Sequence, residues 1–357
     1  MRGEGEVSWY SDNSRFVAGF ECPWRRLIRY HLGGTGFTFA TTPDEIRIGL
    51  SIHSNIESIY KAAQAGEELP TVLSAEPIVM GLVAAYKRVV VPWILESFEI
   101  LAVEEEYSLD FGDGLIWMAR PDLTLRHRET GLVWLVDYKS SSSQPERIAA
   151  IHLASLQTLM NGYAVSTRWG QLGGAQIHVL NRGSEKYPSF LTHAFRRPAN
   201  AYYQEDWQPK AKDSKGRWIG KLYKLDEVSK YRNINDWVNE IDPDILSSAV
   251  PISAEAITAP EIQGRKILQG IASIQKNEAY WRELISSIDW KTATIEDLDK
   301  LVPRTFHCVQ YNRRCEYEYL CFKRSVQEHS ASPSTIVAGF EMVPRQPHHP
   351  QEGTFDD

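Results

Sequence analysis

Cysteine is scarce: four in 357 residues, Cys22, Cys308, Cys315 and Cys321. Four in so long a chain make no disulfide framework, and they point to a reducing compartment. Long hydrophobic runs are lacking too. No segment is expected to supply the ~20 consecutive apolar residues that span a bilayer. The N-terminal MRGEGEVSWYSDN lacks the basic and then apolar order of a secretory signal. The expectation is a cytoplasmic protein with no membrane partner, bacterial or in a host cytoplasm if phage-encoded. Excess positive charge is absent: 39 Lys and Arg stand against 46 Asp and Glu, a net charge of −7. A polyanionic partner would therefore need a local basic surface. Internal repeats are missing as well. What remains is ordinary globular composition, with 43% hydrophobic residues and ample length for a core.

FVAGFECPWRRLIRYHLGGTG reads as a helix entered through Pro23 and ended by Gly33-Gly34. TTPDEIRIGLSIHSNIESIYKAA gives a second helix and LSAEPIVMGLVAAYKRVVVPWI a third, strongly apolar one. The period then changes. FEILAVEEEYSLDFGDGLIWMARPDLTLRHRETGLVWLVDYKSS alternates and carries turn signals, predicting three antiparallel strands. Residues 145–167 return to a helical pattern, and GAQIHVLNRG and SFLTHAFRRP predict two more strands. Residues 200–258 are polar and without a period, an insertion on the core. PEIQGRKILQGIASIQKNEAYWRELI is a long amphipathic helix. From Glu328 onward a disordered tail is expected. The whole predicts an α/β or α+β core with helical additions. Residues 1–327 form one domain: a core at about 45–200, the insertion, and a C-terminal helix with the cysteine cluster at 259–327.

One hairpin carries charges where valine would serve. In RPDLTLRHRETGLVWLVDYKSS, a four-residue turn Arg128–Gly131 pairs His127 with Leu132. By continuation, Asp122 stands opposite Asp137, with Cβ atoms ~5 Å apart. Strand period two puts Asp137 and Lys139 on one face. Facing carboxylates repel unless a cation lies between them, and a hard divalent ion suits an all-oxygen site. A lysine nearby can hold water or stabilise charge at a phosphate. Any one of these charges would be ordinary at an exposed strand end; the three together are less easily dismissed.

Pro121-Asp122, then Asp137-Tyr138-Lys139, resembles the PD-(D/E)xK nuclease signature, and LVWLV leading into DYKSS is similar to its RecB-like branch. The resemblance implies a restriction-endonuclease-like core, a central mixed sheet flanked by helices. It also implies a metal-dependent phosphodiesterase using Mg²⁺ or Mn²⁺. Asp122 and Asp137 would be metal ligands and Lys139 the catalytic lysine. IGLSIHSNIESIYK resembles the branch's helical G-x-x-x-H segment, which maps to His53 as a further ligand. The helix after Ser141 places Gln157 where the branch has a glutamine that orients the lysine or substrate; Tyr163 departs from the usual spacing of its tyrosine. Glu104, Glu105 and Glu106 lie nearby, as one more ligand or as a charged edge.

The cysteines bracket this region. Cys308, Cys315 and Cys321, spaced C-x6-C-x5-C, are one thiolate short of a four-sulfur site, and Cys22 completes the set if the chain ends meet. The arrangement resembles the iron–sulfur nucleases: AddB-type, CRISPR-associated RecB-like and phage exonucleases. That implies a [4Fe–4S] cluster stapling the N- and C-terminal segments; Zn²⁺ on the same sulfurs, or four free thiols, are the alternatives. The implied substrate is DNA, single-stranded or at duplex ends. Arg25 and Arg26, and Lys215, Arg217 and Trp218 in the polar arm, mix cations and aromatics as nucleic-acid contacts do. No G-x-x-x-x-G-K-[ST] loop is present, so any helicase or recombinase would be a separate partner, and an oligomer is open. The rival reading is a non-catalytic DNA-binding or scaffold subunit that keeps the fold; the complete Asp-Asp-Lys set argues against it.

Overall fold

The computed structural model describes residues 8–39, 44–72, 74, 76–143, 145–182, 252–256, 260–303, 309–310, 313–314, 317 and 342–344. Cys308, Cys315, Cys321, Lys215, Arg217, Trp218 and the predicted strand SFLTHAFRRP lie outside them. In chain order the first elements are β1 (Trp9–Asp12), α1 (Asn13–Glu21), α2 (Pro23–Tyr30), β2 (Phe37–Phe39), α3 (Asp44–Ala65) and α4 (Pro77–Ser97). Strands β3 (Phe98–Val103), β4 (Tyr107–Asp110), β5 (Leu115–Ala119), β6 (Leu123–His127) and β7 (Val133–Ser141) follow. Then come α5 (Pro145–Leu153), α6 (Leu156–Trp169), β8 (Leu172–Asn181) and β9 (Ile252–Ala256). The last are α7 (Pro260–Ser286), α8 (Ile295–Leu301), β10 (Val309–Gln310), β11 (Arg313–Arg314) and β12 (Met342–Pro344).

These elements fall into two compact units. One comprises Met1–Thr42, Ser108–Ala119 and Lys266–Asp357. Its three-stranded sheet runs β1-β5-β4, with β1 parallel to β5. Three antiparallel strands were expected over 98–141; the structure has five, β3 to β7, and the β4-β5 pair belongs to this separate sheet rather than to the one that holds β6 and β7. Strand β12 pairs antiparallel with β2, so a piece of the expected disordered tail is ordered against the N-terminal segment. The core of this unit gathers Cys22, Trp24, Leu27, Phe37, Trp281, Leu298 and Tyr317. Within it Arg26 is fully buried and makes a two-pronged ion pair with Glu278, at 2.7 Å and 2.6 Å. Its guanidinium stacks over the Trp281 ring, and Trp9 Nε1 donates to Glu278 Oε2 at 2.9 Å. Gly19 makes room: a Cβ there would meet Arg26 Cδ at 2.7 Å. The expectation that Arg26 faces DNA is corrected, because its charge is spent inside the core. Arg25 keeps partial exposure and pairs with Glu21 at 3.0 Å.

The second unit comprises Pro43–Tyr107 and Arg120–Arg265. Its five-stranded sheet has the order β3-β6-β7-β8-β9, antiparallel except for the β7-β8 pair. The parallel pair needs a crossover, which α5 and α6 supply; the helical pattern of 145–167 breaks between them at Ala154-Ser155, where the Ser155 side chain caps α6 by accepting from Thr158 N. Ile52, Ile56 and Ile59 of α3 and Val79, Val83, Val90 and Ile94 of α4 cover one face, against Leu123, Leu125, Val136 and Tyr138. Ala149 and its neighbours on α5 pack on Ile177 and Val179 of the other face. Strand β7 is thus buried on both sides, which explains why VWLV is continuously apolar. Among the described residues, Ile78–Ser97 of α4 is long and apolar enough to cross a membrane, against the expectation above. More than half of that stretch is buried inside the fold, as befits a core helix.

A buried polar chain lies under the sheet. The hydroxyls of Tyr60 and Tyr86 are 3.2 Å apart, Tyr86 OH donates to His178 Nδ1 at 2.8 Å, and His178 Nε2 donates to Gln176 Oε1 at 3.1 Å. Burial pushes the His178 imidazole down to about 3. Protonation therefore favours the unfolded chain: the contribution is intact above pH 6.5 and is lost as pH falls toward 3. His178 alone should remove about 2 to 3 kcal/mol between pH 7 and pH 4.5. Urea midpoints of wild type and His178→Asn at both pH values check this; the wild type should lose more stability on acidification than the variant.

Candidate active site

The hairpin β6-β7 holds the predicted register. Leu123 faces Val136 and Arg126 faces Val133, while His127 N donates to Leu132 O at 2.9 Å across the turn. Gly131 closes that turn with φ of 70°, a conformation side chains resist. Continued one step, the register sets Asp122 beside the Asp137-Tyr138 peptide. There Tyr138 N donates to Asp122 Oδ2 at 2.6 Å. The Tyr138 carbonyl in turn accepts from His53 Nε2 at 2.8 Å. One residue's backbone therefore orients two side chains, while its ring stacks on Tyr60 in the core.

With Nε2–H engaged, His53 aims Nδ1 at the carboxylates, 3.5 Å from Asp122 Oδ1 and 3.8 Å from Glu104 Oε1. A ligand atom from each of these three residues lies within 4.8 Å of the others. The sequence left open whether any of Glu104, Glu105 and Glu106 reaches the site; a β-bulge decides it. Between Ile100 and Ala102 the β3-β6 register shifts by one, and Gln64 on α3 donates to the extra residue's carbonyl, Leu101 O, at 3.1 Å. Without the bulge, Val103 would stand beside Asp122. With it Glu104 does, its N donating to Asp122 O at 3.0 Å. Glu104 takes φ of 51°, a left-handed backbone that costs a non-glycine residue about 1 to 3 kcal/mol and clusters at functional sites.

Asp137 and Lys139 share the α5 face of β7, opposite Ile177 and Val179. Lys139 Nζ lies 2.7 Å from Asp137 Oδ2. Asp137 Oδ1 is buried and has no hydrogen-bond partner. Burial and the Asp122 charge push the Asp137 carboxyl up to about 6, Lys139 opposing them. Burial works against charge on Lys139 and His53 as well, but the carboxylates outweigh it: Asp137 and Asp122 raise Lys139, and Asp122 and Glu104 lift His53 to about 10. For Asp122, burial is outweighed by His53 and Lys139 and the carboxyl is held low.

One imidazole nitrogen, hard carboxylate oxygens and an orphaned carboxylate oxygen fit a divalent cation of the Mg²⁺ or Mn²⁺ class. His53, Glu104 and Asp122 would hold it; Asp137, with its buried Oδ1 unpartnered, lies next to them in the β6-β7 register. The raised His53 is what such a cluster does without the ion, since a proton stands in for the missing positive charge. Titrating the protein with Mn²⁺ to a hundredfold excess over Kd should add about 2.7 kcal/mol of stability. That stabilisation, read as a melting-temperature shift, should be largely lost in His53→Ala and Glu104→Ala.

Two predicted residues are not brought into this cluster. Gln157 sits half-buried in the first turn of α6, and among the described residues no hydrogen bond ties it to Lys139. Tyr163 is half-buried on the same helix, two turns further on. Conversely, His152 on α5 was not anticipated. Burial and the Lys139 charge push it down to about 4, so it stands neutral near that ammonium. No sequence motif marked it.

A comparison with curated proteins gave no match. The sequence model of the PD-(D/E)XK nuclease superfamily matches residues 14–322, most of the chain. That span contains the paired aspartates, the lysine, and the histidine and glutamate that complete the cluster. On this match the chain belongs to the PD-(D/E)XK nuclease superfamily.

Proposed function

We propose that the protein is a divalent-metal-dependent DNA nuclease acting on single strands or duplex ends, as an exonuclease of the RecB-like branch. The convergence of His53 Nδ1, Glu104 and Asp122 beside Asp137 and Lys139 carries this reading. The bound cation supplies Lewis acidity toward a phosphate oxygen. His53, Glu104 and Asp122 would hold it, with Asp137 as the neighbouring carboxylate. Lys139, kept protonated by its carboxylate neighbours, is a hydrogen-bond donor rather than a base. It orients the attacking water and stabilises charge developing on the phosphoryl oxygens. Gln157, on α6 outside this cluster, is assigned to the substrate strand.

The same reading assigns Cys22, Cys308, Cys315 and Cys321 to a [4Fe–4S] cluster. Cys22 is buried, and Tyr317, two residues beyond Cys315, packs in the same core and donates to Phe37 O at 3.2 Å. These facts support a C-terminal cysteine segment that returns to Cys22. Soft thiolates separate this group from the hard cation of the cleavage site. Anaerobically purified protein should be brown with broad visible absorption, lost in Cys22→Ala; a colourless zinc protein would refute the cluster.

The substrate assignment is tested with strands labelled at the 5′ or 3′ end, in linear and circular form. An exonuclease releases mononucleotides or short products from one labelled end and spares circles. Cleavage of circular single strands would instead make the enzyme an endonuclease.

A further inference from the structure

Arg120 immediately precedes the Pro121-Asp122 pair, and the mechanism above gives it no task. Its Nε lies 3.2 Å from Glu104 Oε2, yet 61% of its side chain remains exposed. Glu104 itself is only 13% exposed, and its other oxygen faces His53. An ion pair this open contributes little net stability, so stability gives little reason for it. Its effect is on geometry. One carboxylate holds the stem of the guanidinium beside the cation site, while the exposed part of the fork retains donors for a ligand. Pro121 adds to this by disfavouring helical backbone at Arg120.

The charges around it say which ligand. Glu104, Asp122 and Asp137 repel a polyanion. Lys139 is only 20% exposed and engaged by Asp137. Arg120 adds an exposed cation beside Glu104 that a substrate phosphate can meet. A guanidinium meets phosphate oxygens through two parallel hydrogen bonds, which an ammonium cannot do.

We infer that Arg120 forms a phosphate-binding subsite, anchored by Glu104, that takes one backbone phosphodiester of the DNA strand at the cleavage site. The inference rests on the nuclease reading. The anchor also links the two functions of Glu104: Oε1 faces the cation site and Oε2 holds the arginine.

The test uses wild type, Arg120→Ala and Arg120→Lys with a fluorescent single-stranded oligonucleotide. Anisotropy in EDTA across a KCl series gives the slope of log affinity against log salt. Removing one phosphate contact should reduce that slope by about 0.7. Arg120→Ala should show this reduction, while Arg120→Lys, which keeps the charge, should retain the slope. In Mg²⁺, KM should rise about tenfold in Arg120→Ala with a smaller change in kcat, and Arg120→Lys should recover only part of it. A purely structural arginine would leave the slope unchanged and weaken Mn²⁺ binding instead, which would overturn the subsite while wild-type cleavage upholds the nuclease. A wild type that neither binds nor cleaves the oligonucleotide would overturn both.

Discussion

Replacing Lys139 by alanine should lower kcat for DNA cleavage by about 10²- to 10³-fold at saturating Mg²⁺, the usual effect of deleting one preorganised donor to a developing oxyanion. The fold should survive. Lys139 lies on β7 2.7 Å from Asp137, and removing it leaves a buried carboxyl already pushed up to about 6. That group can take a proton and sit neutral, which spares the variant an unpaired buried charge. Urea midpoints near neutral pH should therefore change far less than activity does. Lys139→Arg should not restore the rate, because a planar fork does not replace a compact ammonium at this position. A variant that kept wild-type kcat would remove Lys139 from the chemistry.

The largest stability effect is expected in the other unit. Glu278→Gln keeps the shape of the carboxylate but leaves Arg26 charged, fully buried and without its counter-ion. Breaking a buried pair from one side costs about 3 to 5 kcal/mol. The aromatic setting sharpens the case: His31 is stacked between Trp9 and Trp281, so water cannot easily reach the arginine. Replacing both partners, as Arg26→Met with Glu278→Leu, should recover a good part of the loss, because two apolar side chains carry no desolvation cost. Denaturant unfolding of the single and double variants checks this. A single variant as stable as wild type would mean that the arginine finds solvent.

The candidate site was partly legible in the sequence because its main constraint is local. A four-residue turn and a strand period of two set Asp122 beside the Asp137-Tyr138 peptide, and both are countable from residue order. His53 was found through its helical segment, and the structure joins it to Asp122. Glu104 could not be singled out from Glu105 and Glu106. The choice among them is made by the bulge at Leu101, a backbone event held by a hydrogen bond from a distant helix, which no pattern in EILAVEEE announces. The same limit explains Arg26. Pattern alone shows a cation among aromatics, which suits DNA as well as a core; only its pairing with Glu278, 252 positions away, decides. The β4-β5 hairpin was visible as a hairpin, but its sheet partner β1 is an N-terminal strand too short to predict. In α4 burial, not polarity, explains an apolar stretch that by itself would suit a bilayer.

On the proposed function, this cluster binds a divalent cation in order to hydrolyse phosphodiesters. The most direct measurement follows cleavage of an end-labelled oligonucleotide by wild type in Mg²⁺, wild type in EDTA, and Asp122→Asn in Mg²⁺. Cleavage is expected in the first reaction alone. Cleavage that persists in EDTA or in Asp122→Asn, or none in any reaction, would contradict it.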